Sequence, residues 1–352
     1  MPDFFSLYTN QNQYNNPLRD KYDRDRYYNS FNQDIFEPIL SKQIFKQGFV
    51  PYYPNNKNFT ACISHDIDHL YLNETTSRKL INSSKYILKG KLDGALSSLQ
   101  SIVKENVASQ YSLKKLQKIN NEFNVKSSYY FLSLEKGEED YNYSLDSIKS
   151  EFKEILSNNC EIGLHGGHTA YNDLDKLLSE KIKLETKTEQ QLKGYRNHYL
   201  RFQLPLSWQN LCKAGFMYDT TFGYADCIGF RNGMCYPFYP YDIAKNEFID
   251  IIELPLIMMD ATLFYYMRLD KSSILKICRK IIEEVKACHG VFTLLWHNNF
   301  LTGEMGDTYK AILQLLNEYD PWFATSADVV EWWKNEKLIE QSQCIVKELM
   351  IK

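Results

Sequence analysis

The sequence predicts an α/β fold built around a parallel sheet that is either open or closed into a barrel. Short apolar segments alternate with segments of helical periodicity between residues 59 and 334. Three of the four segments that place histidine beside acids or arginine lie at or just after the carboxyl ends of predicted strands. Parallel α/β proteins build their active sites at that rim. With 352 residues, 44% of them hydrophobic, the chain is long enough for one large domain with an ample core.

The chain divides into an amino-terminal extension and a main domain. Residues 1–55 are rich in Tyr, Asn, Asp and Arg and show little periodicity, so we predict an extension that wraps the main domain, with short helices at best. Residues 56–352 form the main domain. Within it, the helical spacing of residues 74–120 predicts a helical insertion.

The remaining elements follow in order from apolar runs and apolar periodicity. A helix is expected at 145–158 because Leu145, Ile148 and Phe152 share one face. Ser207 is a plausible helix N-cap, and Pro255 stops a strand. The predicted strands are residues 59–63, 125–132, 160–164, 194–202, 249–256, 291–296 and 323–324. The predicted helices are residues 145–158, 173–192, 207–214, 271–288, 307–319 and 327–334.

Charge and composition exclude several classes of protein. The net charge of −3 and the lack of a basic tract argue against nucleic-acid binding. No apolar stretch reaches 18 residues, so no transmembrane segment is expected. The first residues lack the basic and apolar regions of a secretory signal, and the eight cysteines form no CxxC pair. We therefore expect a cytoplasmic protein with reduced thiols, of undetermined oligomeric state.

Two aspartates follow the first predicted strand. Asp66 and Asp68 are two residues apart, so on an extended chain they point to the same side. Like charges held so close together favour a cation beside them. One carboxylate bound to that cation leaves the other free to act as a base.

Two histidines follow the third predicted strand. Gly166 and Gly167 allow a sharp turn, so His168 can fold back beside His165. Two imidazoles and one carboxylate are a common ligand set for one divalent ion, with Zn²⁺ expected first and Ni²⁺, Co²⁺ or Mn²⁺ as alternatives. His69 is a rival third ligand, because it leaves the same strand end as Asp68.

Two further residues complete the predicted chemistry. Arg196 lies among aromatic residues, where a guanidinium normally needs a carboxylate partner, and we assign it to Asp66. His297 ends an apolar strand at the rim of the sheet, where it is well placed to protonate a leaving group.

The chain resembles the polysaccharide deacetylase family, also called the NodB-homology or carbohydrate esterase 4 family, over roughly residues 56–300. Its five ordered motifs match Ser64 to His69, His165 to His168, Gly194 to Phe202, Tyr218 to Thr221, and Leu294 to His297. The resemblance implies a distorted (β/α)₇ barrel. Residues 229–237, GFRNGMCYP, are similar to stretches in bacterial members from surface-polysaccharide gene clusters.

The resemblance also implies a role for each matching residue. It makes Asp66 the base, Arg196 its holder, His297 the acid, and Asp219 the residue that holds and tunes His297. It makes Asp68, His165 and His168 the metal ligands. The candidate substrate contacts are Arg231, His198 and Trp296.

Two positions depart from the family pattern. Ile67 separates aspartates that are usually adjacent, and Thr169 stands where the family has its second histidine. The third ligand therefore stays open between His168 and His69.

The expected activity is metal-assisted removal of an N-acyl group, N-acetyl first, from a sugar or a sugar-linked precursor of a bacterial surface polysaccharide. Within the same chemistry, the alternatives are deacetylation of a finished polysaccharide and hydrolysis of a formyl or other C–N amide. Outside it, the alternatives are a carbohydrate-binding scaffold without turnover and an interaction protein that uses the tyrosine-rich extension.

Overall fold

The computed structural model describes residues 3–14, 16–70, 113–135, 137–139 and 141–351. A mostly parallel sheet curls into a half-barrel, in the order β8-β5-β4-β3-β2-β1-β10-β9, with β11 paired to the start of β1. Its strands are β1 Thr60–Ile67, β2 Ser127–Leu132, β3 Glu161–Gly166, β4 Gly194–Asn197, β5 Tyr218–Asp219, β8 Ile252–Glu253, β9 Met258–Met259, β10 Val291–Leu295 and β11 Trp322–Phe323. A separate antiparallel hairpin pairs β6 Tyr241–Asp242 with β7 Glu247–Phe248. The predicted parallel α/β architecture is confirmed.

Helices surround this sheet. Residues 113–122 are helical. The other helices are Phe4–Thr9, Ile39–Lys46, Lys149–Ser157, Leu174–Thr188, Leu206–Lys213, Lys271–Ala287, Gly303–Tyr319, Ser326–Asn335 and Leu338–Ile351. A π-helical turn spans Thr262–Tyr266, and short 3₁₀ turns lie at Gln11–Gln13, Tyr27–Asn29, Pro54–Asn56, Leu145–Ile148 and His198–Leu200. In the described part of the chain, no helix is both long and apolar enough to cross a membrane.

The helix Lys271–Ala287 shows why these segments fold as they do. Its amino terminus is capped by Asp270, whose side chain accepts a hydrogen bond from the backbone N–H of Ser273 at 2.7 Å. Its buried residues recur every three or four positions, so one apolar face packs on the sheet. They are Ile274, Cys278, Ile281, Ile282 and Val285.

Strand register brings distant polar residues to one level. Asp66 of β1 lies opposite Tyr130 of β2, and His165 of β3 lies opposite Arg196 of β4. Alternation along β1 turns Ser64 and Asp66 towards Arg196. The carboxyl ends of β1, β3, β4 and β10 therefore surround one site.

The extension packs on residues 229–237. Gly229 has φ +127°, and a Cβ there would lie 2.3 Å from the carbonyl oxygen of Ile35. The backbone N–H of Phe230 donates to that same oxygen at 2.7 Å, and Leu40 N donates to the Gly233 oxygen at 3.0 Å. Only glycine allows this close approach, which gives the first part of the GFRNGMCYP stretch a packing role.

Several predicted boundaries differ from the structure. The predicted strand 194–202 ends at Asn197, because Tyr199 and Leu200 take φ of +60° and +54° and turn the chain. The predicted strand 249–256 is only Ile252–Glu253, and β9 and the helix Leu338–Ile351 were not predicted. Residues 74–112 of the predicted insertion lie outside the described residues.

Candidate active site

A cavity of about 410 Å³ opens at the carboxyl ends of the strands. Its floor carries the ionisable side chains Asp66, Asp68, His165, His198 and His297, and its rim carries Tyr199, Tyr265, Tyr266 and Phe300. Arg24 of the extension also lines it. Cavities of this size, with a few convergent polar groups, are typical of small-ligand sites.

Asp66 and Arg196 form a buried ion pair on one side of the floor. Arg196 Nη1 donates to Asp66 Oδ1 at 2.9 Å and to Ser64 Oγ at 2.9 Å. The guanidinium also stacks on the Tyr130 ring, 4.6 Å from its centroid. This pairing compensates the charge of a carboxylate that is only 2% exposed. The second oxygen, Oδ2, faces His165 Nε2 at 3.7 Å.

Asp68, His165 and His198 form a group of three potential metal ligands next to this pair. Their ligand atoms all lie within 4.8 Å of one another. Asp68 Oδ1 lies 3.2 Å from His165 Nε2 and 3.8 Å from His198 Nε2. Burial alone would raise the pKa of Asp68, but His198, His165 and His297 hold it well below its usual range. Asp68 is therefore ionised at neutral pH.

The atoms of this group fit a divalent cation. His165 Nδ1 lies 3.0 Å from the carbonyl oxygen of Arg196, which directs Nε2 at Asp68. Within the described residues, Asp68 Oδ1 and His165 Nε2 are buried, face each other at 3.2 Å and have no hydrogen bond of good geometry to any group. Two ligands about 2 Å from a shared ion lie roughly 3 Å from each other, close to the spacing of these two atoms. A cation would satisfy both.

His297 and Asp260 lie on the other side of Asp68. Asp260 Oδ1 is 2.7 Å from His297 Nδ1, and His297 Nε2 faces Asp68 Oδ2 at 3.6 Å. Burial would lower the pKa of His297, but Asp260, Asp68 and Asp66 raise it to about 10. His297 therefore holds a proton at Nε2, directed into the cavity.

Asp219, which the family resemblance assigns to His297, lies elsewhere. Its Oδ1 accepts from Thr221 Oγ1 at 2.6 Å and from Thr221 N at 3.1 Å. Strand β5 pairs with β4, whereas His297 follows β10 beside β9, from which Asp260 emerges. The carboxylate that holds His297 is Asp260, and the assignment of Asp219 to that position is corrected.

His168 is also displaced from its predicted place. It forms a second three-residue group with Glu139 and His198, and its Nε2 lies 3.6 Å from Glu139 Oε2. His198, expected only as a substrate contact, is the residue that stands with Asp68 and His165. The turn after β3 carries His168 towards Glu139 instead, whose Oε1 accepts the His168 backbone N–H at 2.6 Å. His69, the rival third ligand, lines the cavity outside both groups.

Arg231 and Trp296, two of the three candidate substrate contacts, are buried. Arg231 is 3% exposed, and its Nη2 donates to Gln13 Oε1 at 2.6 Å. Trp296 is fully buried and stacks on Tyr309 with the ring centroids 5.0 Å apart. Arg231 therefore holds the extension and Trp296 belongs to the core, so the structure contradicts both assignments.

Asp260 and Glu139 were not predicted from the sequence. Asp260 follows the apolar run 254–259. An acid at the end of a possible strand is a sequence pattern that could have identified it as a site residue. Glu139 is one of several acids in the loop after β2, and no pattern in that loop distinguishes it.

No protein-family model matches this chain, and no curated protein matches it. Solved structures do. A Mycobacterium smegmatis protein described as a polysaccharide deacetylase is 15% identical, with a TM-score of 0.54, over 82% of this chain and 94% of that one. A Pseudomonas aeruginosa PAO1 protein described in the same way is 12% identical, with a TM-score of 0.56, over 81% and 95%. PuuE allantoinase is 10% identical, with a TM-score of 0.53, over 80% and 93%. These likenesses show that the chain has the NodB-like barrel fold.

Proposed function

We propose that this protein is a metal-dependent hydrolase that removes an N-acyl group, N-acetyl first, from a sugar. One observation carries the proposal. A buried carboxylate, Asp66, and a protonated histidine, His297, lie on either side of a group of potential metal ligands in one cavity. Amide hydrolysis needs this combination of a base, an acid and an electrophile.

Asp66 is the proposed general base. Arg196 Nη1 donates to its Oδ1 at 2.9 Å and compensates the charge of the carboxylate, while Oδ2 is directed towards the ligand group. Oδ2 therefore accepts a proton from the water that attacks the acyl carbon. Replacing a positioned base of this kind typically lowers turnover by about 10²–10⁴-fold.

His297 is the proposed general acid. Asp260 fixes its Nδ1, so the proton on Nε2 is directed into the cavity. As the new C–O bond forms and the C–N bond breaks, His297 gives this proton to the departing nitrogen. The products are a carboxylate and an amine. An amine leaves poorly without that proton, which is why the acid must face the base.

Asp68, His165 and His198 are the proposed ligands of the cation, with Zn²⁺ first and Ni²⁺, Co²⁺ or Mn²⁺ as alternatives. A cation bound there supplies Lewis acidity towards the acyl oxygen and lowers the pKa of water. His198 compensates for the threonine at position 169. Asp68, His165 and His198 therefore supply three potential ligands without a histidine at position 169. This complete set argues against a carbohydrate-binding scaffold without turnover.

The rim of the cavity favours a sugar as substrate. Tyr265 and Tyr266 are 55% and 43% exposed, although large aromatic side chains are usually covered. Both belong to a π-helical turn, a feature often found at functional sites. Aromatic faces with polar edges suit the flat apolar face and the hydroxyl groups of a pyranose ring. We further propose a precursor of a bacterial surface polysaccharide, on the sole basis of the resemblance of residues 229–237.

A second candidate is hydrolysis of a C–N bond outside sugars. The same fold occurs in PuuE allantoinase, and an N-formyl or cyclic amide could use the same base and acid. The exposed tyrosines of the rim count against it, because a small amide would leave them uncovered.

Release of free amine tests the proposal. Fluorescamine would detect amines formed from N-acetylated sugar nucleotides and chito-oligomers, with N-formyl sugars and allantoin assayed in parallel, allantoin by loss of substrate. We expect chelator-sensitive release from at least one N-acetyl sugar. Turnover of allantoin alone would support the second candidate, and no turnover with any cation restored would overturn the proposal.

A further inference from the structure

His198 stands between two carboxylates. Its Nε2 faces Asp68 Oδ1 at 3.8 Å, and its Nδ1 faces Glu139 Oε2 at 3.3 Å. The ring is 4% exposed, so little solvent reaches its nitrogens. The two nitrogens thus point to different partners, one inside the proposed metal site and one outside it.

The chemistry of imidazole links these two contacts. A neutral ring carries one proton, and the nitrogen that binds a cation must be the one without it. If His198 Nε2 is the ligand, Nδ1 carries the proton and donates it to Glu139. A carboxylate that accepts this hydrogen bond selects the tautomer, orients the ring and makes the ligand nitrogen more basic.

Glu139 is itself held in place. Its Oε1 accepts the backbone N–H of His168 at 2.6 Å, and its Oε2 lies 3.6 Å from His168 Nε2. The His168 ring stacks on the His198 ring, with centroids 5.0 Å apart and planes 22° apart. His168 therefore contacts both the carboxylate and the ring that this carboxylate orients.

We propose that Glu139 is the positioning residue for the third metal ligand, His198, and that His168 holds Glu139 in place. This inference rests on the metal site of the proposed function. It explains how a chain with Thr169 at the usual histidine position still presents three donors. The third donor comes from the turn after β4, and the loop after β2 supplies the support that it needs.

The group Glu139, His168 and His198 could alternatively hold a second cation. That arrangement requires both nitrogens of His198 to bind metal, and therefore loss of the proton that a neutral ring keeps. The positioning role needs no such loss, and stoichiometry separates the two arrangements.

The test is cation binding by the full-length protein, stripped with a chelator and titrated with Zn²⁺ against a chromophoric competitor. We expect one equivalent for the unchanged protein. Glu139→Ala should weaken Zn²⁺ binding by about 10- to 100-fold. Glu139→Gln, which keeps an acceptor but loses the charge, should weaken it less. Glu138→Gln, a change at the exposed neighbour, is the matched control and should bind normally.

The absorption spectrum of the Co²⁺-loaded protein gives a second measurement, because it reports ligand geometry without any turnover. It should change in Glu139→Ala and stay constant in Glu138→Gln. Failure of the unchanged protein to bind any cation would overturn the proposed function together with this inference. One equivalent with normal affinity and an unchanged Co²⁺ spectrum in Glu139→Ala would overturn the positioning role alone. Two equivalents would also overturn it, in favour of a second site.

Discussion

Asp260 contacts His297 at two points: one carboxylate oxygen lies 2.7 Å from the ring nitrogen Nδ1, and the other accepts the backbone N–H at 2.6 Å. The carboxylate is fully buried at the end of β9. The first contact fixes the ring of His297 and the second fixes its backbone. The proton on Nε2 therefore has one direction, towards Asp68.

Replacing Asp260 tests this relationship. In Asp260→Asn, burial should outweigh the remaining carboxylates and lower the pKa of His297 from about 10. The proton is then lost at lower pH, so the alkaline limb of the kcat/KM profile should move to lower pH. Activity at neutral pH should fall by about 10²-fold. Asp219→Asn is the comparison variant, and an equal shift of its alkaline limb would return the tuning role to Asp219.

The base and the acid should each be indispensable. We expect Asp66→Asn and His297→Gln to lower kcat by about 10² or more, with unchanged circular dichroism. The double variant should lose little beyond the worse single variant, because the two groups act in one step. Retention of most of the turnover in either single variant, measured by amine release, would reject that residue's role.

Metal removal should separate His198 from His168. Chelation should abolish turnover, and Zn²⁺ or Co²⁺ should restore it. His198→Ala should lose the bound ion after gel filtration, whereas His168→Ala should retain it with lower affinity. Elemental analysis of the two purified variants measures this. Metal loss from His168→Ala but not from His198→Ala would assign the third ligand to His168.

The exposed tyrosines should affect binding rather than chemistry. Removing one covered aromatic ring costs about 1.5–3 kcal/mol of contact, so Tyr265→Ala or Tyr266→Ala should raise KM for a sugar substrate roughly tenfold or more. The kcat value should change little, because neither ring is the proposed base, the proposed acid or a proposed metal ligand. Tyr28→Ala, which alters a tyrosine that is 63% exposed and does not line the cavity, is the matched control. A fall in kcat at constant KM would contradict the binding role.

His65 should make folding sensitive to acid. Burial lowers its pKa to about 4, although the Trp296 carbonyl and Asp66 act in the opposite direction. The unfolded chain takes up a proton near pH 6.5 while the folded protein stays neutral there, so stability is lost as pH falls from about 6.5 to 4. The resulting decrease in the free energy of unfolding approaches about 3 kcal/mol.

Urea unfolding of the unchanged protein and of His65→Gln measures this effect, since other titrating groups cancel in the difference. The stability advantage of the unchanged protein should shrink between pH 7 and pH 4. Parallel pH curves for the two proteins would contradict the assignment.

The long periodic elements of the fold were predictable from the sequence. Strands β1, β2, β3 and β10 and the helix Lys271–Ala287 follow from apolar runs and periodicity that burial enforces. The two-residue strands β5 and β9 were not predicted, because they carry too few residues to show a period. Strand β8 lies within the predicted strand 249–256, but its short length could not be predicted. The positive φ of Tyr199 and Leu200 is likewise imposed by tertiary context.

The site was predictable where a residue ends a recognisable strand, as Asp66, Asp68, His165 and His297 do. Arg196 could be matched to Asp66 because a buried guanidinium requires an anion. Partners outside these strands were not predictable. His198 and Glu139 meet only after two loops have turned, and Asp260 depends on the position of β9 beside β10.

Arg24 connects the amino-terminal extension to the cavity. Arg24 donates to the Tyr199 carbonyl at 2.9 Å and to the Tyr266 hydroxyl at 2.9 Å. It therefore links two sides of the cavity, although it lies far from both residues in the sequence. Detachment of that segment would leave the barrel folded and the rim unsupported. Warming or limited proteolysis within residues 16–33 should therefore abolish the proposed activity, while the far-ultraviolet circular dichroism spectrum stays that of the folded barrel.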